Sequence, residues 1–414
     1  GMDSFYKYVI IGNGTAAIGG VEGIRSLDKD SGILIISKEP HKAYCRPLIS
    51  YYLEGMASPG RMGYRGDNFY EDNNCTLLLD RSAVGIDRKD KRVRLDDGTE
   101  VGFDKLLVAA GSSPFVPDFK GLSSVERKFS FMTIDDAMAI EKSIAPDSRV
   151  LIVGAGLIGL KCAEGLFGRV GSITVCDLAD RVLSSILDSD CAKLMGERLE
   201  EKGIRLMLGD SVSSFDGRKA LMNSGETVEF DVLVLAVGVR AETSLVKDAG
   251  GECGRGIRVD ENMRTSLSDI YAAGDCTEYM DISSGSVKIM ALMPNAYMQG
   301  HCAGVNMAGG DESFDNAIPM NSIGFFGLHA MSAGSCQGEA RTVSNEDGVK
   351  KFYIKDGRLV GFMIIGSTAR AGIYTDIIRN RVELEPNELE AVMENPSLYI
   401  FGREKRNSVL GGVV

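Results

Sequence analysis

The chain alternates short apolar runs of strand type with longer stretches of helical type. Residues 8–11 and 150–153 are such runs, and each leads directly into a glycine-rich turn. Residues 106–109 and 233–236 echo each other in the same way, and each closes its own unit near a glycine. This order predicts an α/β protein that contains one strand–turn–helix unit twice.

Near the end of the chain the pattern changes. Residues 351–354 and 359–365 are two runs of strand type that flank Asp356 and Gly357, which is typical of a β-hairpin. Helical stretches follow at residues 371–379 and 386–394. We therefore expect a small α+β domain after the two repeated units.

Length and charge limit the function. A chain of 414 residues exceeds the roughly 100 to 200 residues of one domain, so two or three domains are expected. A formal net charge of -12 argues against nucleic acid or an anionic membrane as a partner. We find no apolar run of the roughly 20 residues that cross a bilayer, and no basic block followed by an apolar block at the N-terminus, so we expect a cytoplasmic protein.

The cysteines and histidines predict neither a local redox disulfide nor a metal site. The nine cysteines contain no CxxC or CxxxxC pair, and the three histidines are scattered singly without ligand spacing. This distribution fits reduced thiols in a cytosol.

The two glycine-rich turns have the spacing of dinucleotide-binding loops. The first glycine permits the turn, the second lets the backbone approach a pyrophosphate, and the third position lets the helix pack on the strand. The phosphates then lie at a helix N-terminus. These positions are Gly12, Gly14 and Ala17 in the first loop, and Gly154, Gly156 and Gly159 in the second.

Acidic residues follow both loops where a ribose would bind. Asp177 ends the apolar run 173–176, roughly 20 residues past the second loop, where a carboxylate accepts hydrogen bonds from a ribose 2′-OH. Because it would repel a 2′-phosphate, NADH is favoured over NADPH. In the first unit the corresponding carboxylate is Glu39, which we expect to bind the adenosine ribose of FAD.

A third signature distinguishes the two sites. Residues 270–275 read as a strand that runs into the corner Gly274–Asp275, and this aspartate is placed to bond ribityl and phosphate groups of FAD. Two dinucleotide sites in one chain favour a bound flavin together with a visiting nicotinamide. The sequence therefore predicts FAD in the first unit and NADH in the second.

The order GxGxxA, AxG, GxGxxG, AxG and YAAGD resembles the pyridine-nucleotide-dependent flavoprotein reductases of the glutathione-reductase structural type. Within that group, residues 44–48, 294–300 and 361–366 are most similar to NADH:rubredoxin oxidoreductases and to the flavin half of assimilatory nitrite reductase large subunits. The resemblance implies two Rossmann-like domains and a small C-terminal domain that forms a homodimer in some members and not in others. The implied domains are an FAD domain of residues 1–117 and 243–317, an inserted NAD domain of residues 118–242, and a C-terminal domain of residues 318–414.

The resemblance also assigns site residues. It implies that Arg46 and Pro47 line the flavin and that a helix beginning near Ala296 points its N-terminus at the flavin pyrimidine, where it stabilises negative charge. The two AxG segments close the cofactor sites, with Ala110 standing where threonine is common. The segment residues are Ala110 and Gly111 in the first unit and Gly238 in the second.

Lys161 departs from the pattern, because many members of the family carry glutamate there, near the nicotinamide side of the flavin. A lysine would change the local field and favour an anionic reduced flavin or an acidic partner. The alternative is a lysine at the helix surface, paired with Glu164 one turn further on.

The electron acceptor stays open at this stage. A small redox protein would be steered by the basic residues Lys38, Lys42, Arg46, Arg61 and Arg65, which fall in one region of an acidic chain. One alternative is a thiol-dependent NADH oxidase, peroxidase or coenzyme A disulfide reductase. It would use Cys45, although Cys45 lies two residues before the position of that family's cysteine. Another is a flavoprotein that binds NADH slowly and signals through its conformation.

Overall fold

A computed structural model describes residues 3–56, 63–290 and 293–410. Its contacts divide the chain into two compact units. The first unit comprises Gly1–Tyr44, Gly63–Ser113 and Arg240–Met320, and the second comprises Cys45–Met62, Pro114–Val239 and Asn321–Val414. The first unit is interrupted twice, and the second contains most of the predicted NAD domain and most of the predicted C-terminal domain, together with residues 45–62. The three-domain division, with its boundaries at residues 117, 242 and 317, stays a prediction.

Strands and helices alternate along the described residues. The strands are β1 (Phe5–Ile11), β2 (Ile33–Ile36), β3 (Cys75–Leu78), β4 (Ala83–Asp87), β5 (Arg92–Leu95), β6 (Glu100–Val108), β7 (Ser112–Pro114), β8 (Lys128–Phe129), β9 (Arg149–Val153), β10 (Ser172–Asp177), β11 (Arg205–Leu208), β12 (Val212–Asp216), β13 (Lys219–Met222), β14 (Thr227–Glu229), β15 (Val232–Leu235), β16 (Val239–Ala241), β17 (Ile257–Arg258), β18 (Ile270–Ala272), β19 (Thr277–Asp281), β20 (Ser286–Lys288), β21 (Met320–Phe325), β22 (Leu328–Gly334), β23 (Glu339–Asn345), β24 (Gly348–Lys355) and β25 (Arg358–Gly366). The helices are α1 (Thr15–Leu27), α2 (Ile49–Leu53), α3 (Phe69–Asp72), α4 (Ile134–Ser143), α5 (Leu157–Leu166), α6 (Ser189–Glu201), α7 (Ser244–Asp248), α8 (Met293–Met307), α9 (Gly372–Arg379), α10 (Pro386–Glu394) and α11 (Arg403–Val409).

The core of the first unit is a mixed sheet with the strand order β3-β2-β1-β6-β5-β4, in which β18 also pairs with β6. Strands β1, β2, β3, β6 and β18 are mutually parallel, whereas β4 and β5 are antiparallel additions. Every residue of β2 is buried, which is typical of a parallel strand covered on both faces. The predicted strands at residues 8–11 and 106–109 are confirmed as the ends of β1 and β6.

The second unit contains a parallel sheet with the order β11-β10-β9-β15-β8, and an antiparallel sheet with the order β21-β22-β25-β24-β23. Its parallel sheet repeats the arrangement of the first unit, with a helix after the first strand of each. The predicted hairpin is formed by β24 and β25, and the helix predicted at residues 386–394 is α10. The predicted α/β class with Rossmann-like units and a small α+β C-terminal segment is confirmed.

Helices α1 and α8 of the first unit are in direct backbone contact. A methyl group built at any of four glycines would lie 2.0 to 2.4 Å from a carbonyl oxygen of the other helix. These contacts are Gly19 to Tyr297, Gly23 to His301, Gly300 to Ala16, and Gly304 to Gly20. Each helix carries its two glycines four residues apart, so both lie on one face. No side chain larger than hydrogen fits at this crossing.

We expect Gly300→Ala to destabilise the protein by about 1–3 kcal/mol, because the added methyl group forces two backbones apart. The matched control is Gly196→Ala in α6, where the nearest atom to the new methyl group is a leucine carbon at 3.6 Å. Alanine in that helix interior is favoured over glycine by about 0.5–1 kcal/mol. The measurement is the thermal unfolding midpoint of each variant with FAD bound, and equal midpoints for the two variants would contradict the packing argument.

Candidate cofactor sites

The first glycine loop is shaped by contact on one side and open space on the other. Gly12 has a φ of +108°, and a methyl group there would lie 2.0 Å from the carbonyl oxygen of Ala109. Nothing lies within 4 Å of a methyl group built at Gly14, which is the N-cap of α1. Ala17 is fully buried against the sheet. The backbone of Gly14 therefore faces open space at a helix N-terminus, as a pyrophosphate requires.

The second glycine loop has the same construction. Gly154 has a φ of +117°, and a methyl group there would lie 2.0 Å from the carbonyl oxygen of Ala236. Gly156 is open, and a methyl group at Gly159 would lie 2.0 Å from the oxygen of Gly154. The three glycines thus have the backbone contacts and the open space that their spacing predicted, and the loop fits a second dinucleotide.

Both predicted ribose acids are held by hydrogen bonds. Asp177 accepts from the backbone N–H of Ala155 at 2.7 Å through Oδ2 and from that of Ala179 at 2.8 Å through Oδ1. These hydrogen bonds hold the carboxylate, which lies at the end of β10, against the second glycine loop. Glu39 accepts a 2.6 Å hydrogen bond from the hydroxyl of Tyr44. Tyr44 was not singled out in the sequence, because its contact with Glu39 depends on the path of the loop between them.

The Gly274–Asp275 corner is fixed by a buried network. Gln299 of α8 accepts from the N–H of Gly274 at 3.0 Å and donates to the hydroxyl of Thr277 at 3.2 Å. Thr277 in turn donates to the carbonyl of Gly274 at 2.6 Å. Ala296, at the start of α8, lies against the same corner, since its Cβ is 3.8 Å from a methyl group built at Gly274.

The ends of the two AxG segments leave backbone accessible. Gly111 and Gly238 have φ values of +69° and +125°, and nothing lies within 4 Å of a methyl group built at either. Ala110 is half-buried beside Gly111. Each segment follows a central parallel strand, so both glycines lie at the carboxyl edge of their sheet, where ligands of such sheets bind.

Two buried amide atoms of the first unit have no hydrogen-bond partner among the described residues. They are the Nδ2 donor of Asn13, inside the glycine loop, and the Oδ1 acceptor of Asn295, in the first turn of α8. Buried polar atoms of this kind need a partner. FAD offers both acceptor oxygens on its phosphates and donor hydroxyls on its ribityl chain, so the first unit fits this cofactor.

Comparison with known proteins identifies the family. The sequence matches the family described as pyridine nucleotide-disulphide oxidoreductase over residues 6–300, which is more than half of the chain. The chain belongs to this family.

Three individual proteins illustrate the likeness. An NADH oxidase of Methanocaldococcus jannaschii is 32% identical over 392 residues, covering 87% of each chain. A rubredoxin-NAD(+) reductase of Pseudomonas putida is 29% identical over 307 residues, covering 73% of this chain and 80% of the other. A covalent putidaredoxin reductase–putidaredoxin complex matches in fold, with a TM-score of 0.86 at 21% identity, over 100% of this chain and 99% of the other.

As a pyridine nucleotide-disulphide oxidoreductase, the chain is an enzyme that uses FAD and NAD(P)H. The first loop, Glu39 and the Gly274–Asp275 corner would hold FAD, while the second loop and Asp177 would hold the nicotinamide nucleotide. The individual roles of these residues stay proposals.

Residues 45–47, for which the sequence predicts a thiol alternative at Cys45 and flavin contacts at Arg46 and Pro47, lie in the second unit. Arg46 is exposed and donates to the carbonyl of Met132 at 2.9 Å, and it begins a 3-10 turn with Pro47, which is also exposed. Cys45 is half-buried just before this turn. That Arg46 and Pro47 line the flavin stays a prediction.

Lys161 of α5 is engaged by three partners in its own unit. Its ammonium donates to Glu164 at 3.2 Å and to the carbonyl of Gly324 at 2.9 Å, and it lies 4.5 Å from the ring centre of the buried Phe325. The sequence proposed the pair with Glu164 and gave no sign of Gly324. Lys161 thus connects the helix after the second glycine loop to the strand β21.

Three buried cysteines of the chain, Cys162, Cys176 and Cys276, are poor nucleophiles. Burial raises the pKa of the Cys176 and Cys276 thiols to about 12, and it also raises the pKa of Cys162. The described cysteines form no disulfide. Within the described ranges, no group of three or more His, Cys, Asp or Glu side chains could hold a metal ion, and no helix has the length and apolar character to cross a membrane.

We expect Asp177→Asn to shift nucleotide preference toward NADPH. Loss of the negative charge weakens bonding to the ribose 2′-OH and removes repulsion of a 2′-phosphate, so the NADH-to-NADPH ratio of kcat/KM should fall about tenfold or more. The control is Asp216→Asn, an exposed residue of β12 with the same change in charge. Flavin reduction at varied NADH and NADPH measures the ratio, and an unchanged ratio would remove Asp177 from the ribose site.

We expect Lys161→Met to lower the free energy of unfolding by about 1–3 kcal/mol, because Gly324 and Glu164 lose a charged donor. The rate of flavin reduction by NADH should stay within about threefold. The exposed Lys193 of α6 serves as control through Lys193→Met. If the rate instead falls tenfold or more with an unchanged melting midpoint, Lys161 acts on the chemistry by changing the field near the flavin.

Proposed function

We propose that the chain oxidises NADH through bound FAD and delivers the electrons to a small iron–sulfur or rubredoxin-like protein. The observation that carries the proposal is the repeated glycine loop, which provides one site for each dinucleotide. Asp177, fixed on the second loop, supports NADH as the donor. FAD, when bound, accepts a hydride and can release its two electrons one at a time.

In this proposal the protein contributes orientation rather than acid–base chemistry. Hydride transfer requires the two reactive rings to be held in contact, and backbone groups of the loops fix both phosphate ends. NADH gives up a hydride and becomes NAD+. Two one-electron acceptors are then reduced in turn, and the proton of the hydride passes to solvent.

The second half-reaction favours outer electron transfer because a thiol route lacks its residues. The sequence has no CxxxxC pair, and Cys45 stands two residues away from the single-cysteine position. Among the relatives, the rubredoxin-NAD(+) reductase supports a protein acceptor.

The predicted basic docking region receives only partial support. Arg65 is paired with Glu22 at 2.7 Å, and Lys42 donates to the carbonyl of Asp67 at 3.5 Å, while Lys38 is exposed. Arg61 lies outside the described residues. The charge of Arg65 is therefore neutralised by an acidic side chain, whereas the hydrogen bond of Lys42 to a carbonyl leaves its charge in place.

Oxygen is the second candidate acceptor, and the relative named NADH oxidase favours it.

We further propose the domain division at residues 117, 242 and 317, a cytoplasmic location, and no nucleic-acid or membrane partner, given the net charge of -12. A homodimer through the C-terminal segment is also part of the proposal.

Steady-state NADH oxidation against a panel of acceptors tests the function. We expect turnover of about 1 to 1000 per second with rubredoxin or a [2Fe–2S] ferredoxin under anaerobic conditions. Cys45→Ser should leave this rate within twofold. Oxygen, peroxide and a disulfide complete the panel. Turnover that occurs only with peroxide or disulfide and is lost in Cys45→Ser would establish the thiol route. If the flavin fails to bleach within about a second of mixing with NADH, the chain is not a reductase.

A further inference from the structure

The side chain between the two glycines of the first loop has an unusual environment. Asn13 follows Gly12 and precedes Gly14, and its Nδ2 is buried without a hydrogen-bond partner among the described residues. Its Oδ1 accepts a 2.9 Å hydrogen bond from the hydroxyl of Tyr70. The amide therefore has one satisfied end and one unsatisfied end.

Tyr70 is held on both sides of its hydroxyl group. The backbone N–H of Ala43 donates to the Tyr70 hydroxyl oxygen at 3.0 Å. The hydroxyl donates its own proton to Oδ1 of Asn13 at 2.9 Å, so the carbonyl oxygen of the amide faces Tyr70 and its NH2 group faces the other way.

Tyr70 keeps this orientation over the physiological pH range. The residue is buried on α3, only 8% exposed, and burial raises the pKa of its phenol above the usual value near 10. The hydroxyl therefore stays protonated and continues to donate to Asn13.

We propose that Asn13 donates a side-chain hydrogen bond to the diphosphate of FAD, with Tyr70 as the positioning residue that locks the amide in the donor orientation. Asn13 lies at the start of α1, where the glycine backbone faces open space and the helix N-terminus favours an anion. A phosphate oxygen is an acceptor that carries charge, which makes the hydrogen bond stronger than a neutral one.

The second glycine loop supplies the comparison within the chain. The residue between its first two glycines is Ala155, which is 1% exposed and has no polar side-chain atom. Only the FAD loop of the two thus adds a side-chain donor to its backbone donors. This difference matches the needs of the two cofactors, because FAD stays bound through turnover whereas the nicotinamide nucleotide must leave after each cycle.

FAD affinity of the deflavinated full-length chain tests the proposal, since it requires neither NADH nor an acceptor and so is independent of the proposed function. We expect Asn13→Ala to raise the Kd of FAD about 10- to 100-fold. Asn13→Asp should raise it further, because Tyr70 would hold a carboxylate beside the diphosphate. Tyr70→Phe should raise it less, since the amide remains but can rotate.

The matched control is Asn68→Ala, which makes the same change at an exposed N-cap of α3 whose side chain makes no capping hydrogen bond. ADP and adenosine, measured as competitors of FAD, locate the contact. The Kd of ADP should rise by the same factor as that of FAD in Asn13→Ala, and the Kd of adenosine should not change.

An unchanged Kd of ADP with a raised Kd of FAD would move the contact to the ribityl or ring part and overturn the diphosphate assignment. Unchanged affinity for both ligands would overturn the proposal entirely. The melting midpoint of each deflavinated variant is measured alongside, and if Asn13→Ala does not fold, Tyr70→Phe carries the test with the same competitors.

Discussion

The contact between the backbones of α1 and α8 is the constraint on which the first unit and its candidate FAD site depend. Four glycines let the helices approach until carbonyl oxygens of one touch the backbone of the other. This approach brings the start of α1, which carries the phosphate loop, and the start of α8 to the same Gly274 corner. Two helix N-termini then lie close together at this corner, which suits a cofactor with a charged diphosphate.

The two units contain the same glycine-loop backbone and differ in the side chains around it. In both, the glycines create the turn and the open approach to a pyrophosphate. The FAD unit adds a buried network around Gly274, through Gln299 and Thr277, together with the asparagine of its loop. The second loop relies on backbone and on Asp177, the carboxylate proposed for the ribose. The two loops thus differ in the side chains placed on equivalent scaffolds.

Within the second unit, the antiparallel sheet is held against α5, the helix that follows the second glycine loop. Glu164 accepts from the N–H of Phe326 at 2.9 Å, and Arg198 donates to its carbonyl at 2.8 Å. Phe326 has a φ of +51° at the turn between β21 and β22, a conformation that needs support from its surroundings. Together with the contacts of Lys161, these hydrogen bonds hold the turn between β21 and β22 against α5 and α6. Residues that resemblance associates with the flavin therefore also have a packing role.

The sequence by itself determined the repeated strand–turn–helix units, both glycine loops, the acid Asp177 and the helix α10, because each depends on spacing within a few residues or on one turn of backbone. Tertiary structure alone decided the contact of Lys161 with Gly324 and the contact of Asn13 with Tyr70. Those contacts join residues 57 to 163 positions apart, and one of them is to a backbone carbonyl, which leaves no mark on the side-chain pattern. Local steric rules can be inferred from sequence, whereas the pairing of distant polar groups follows from the packing of the folded chain.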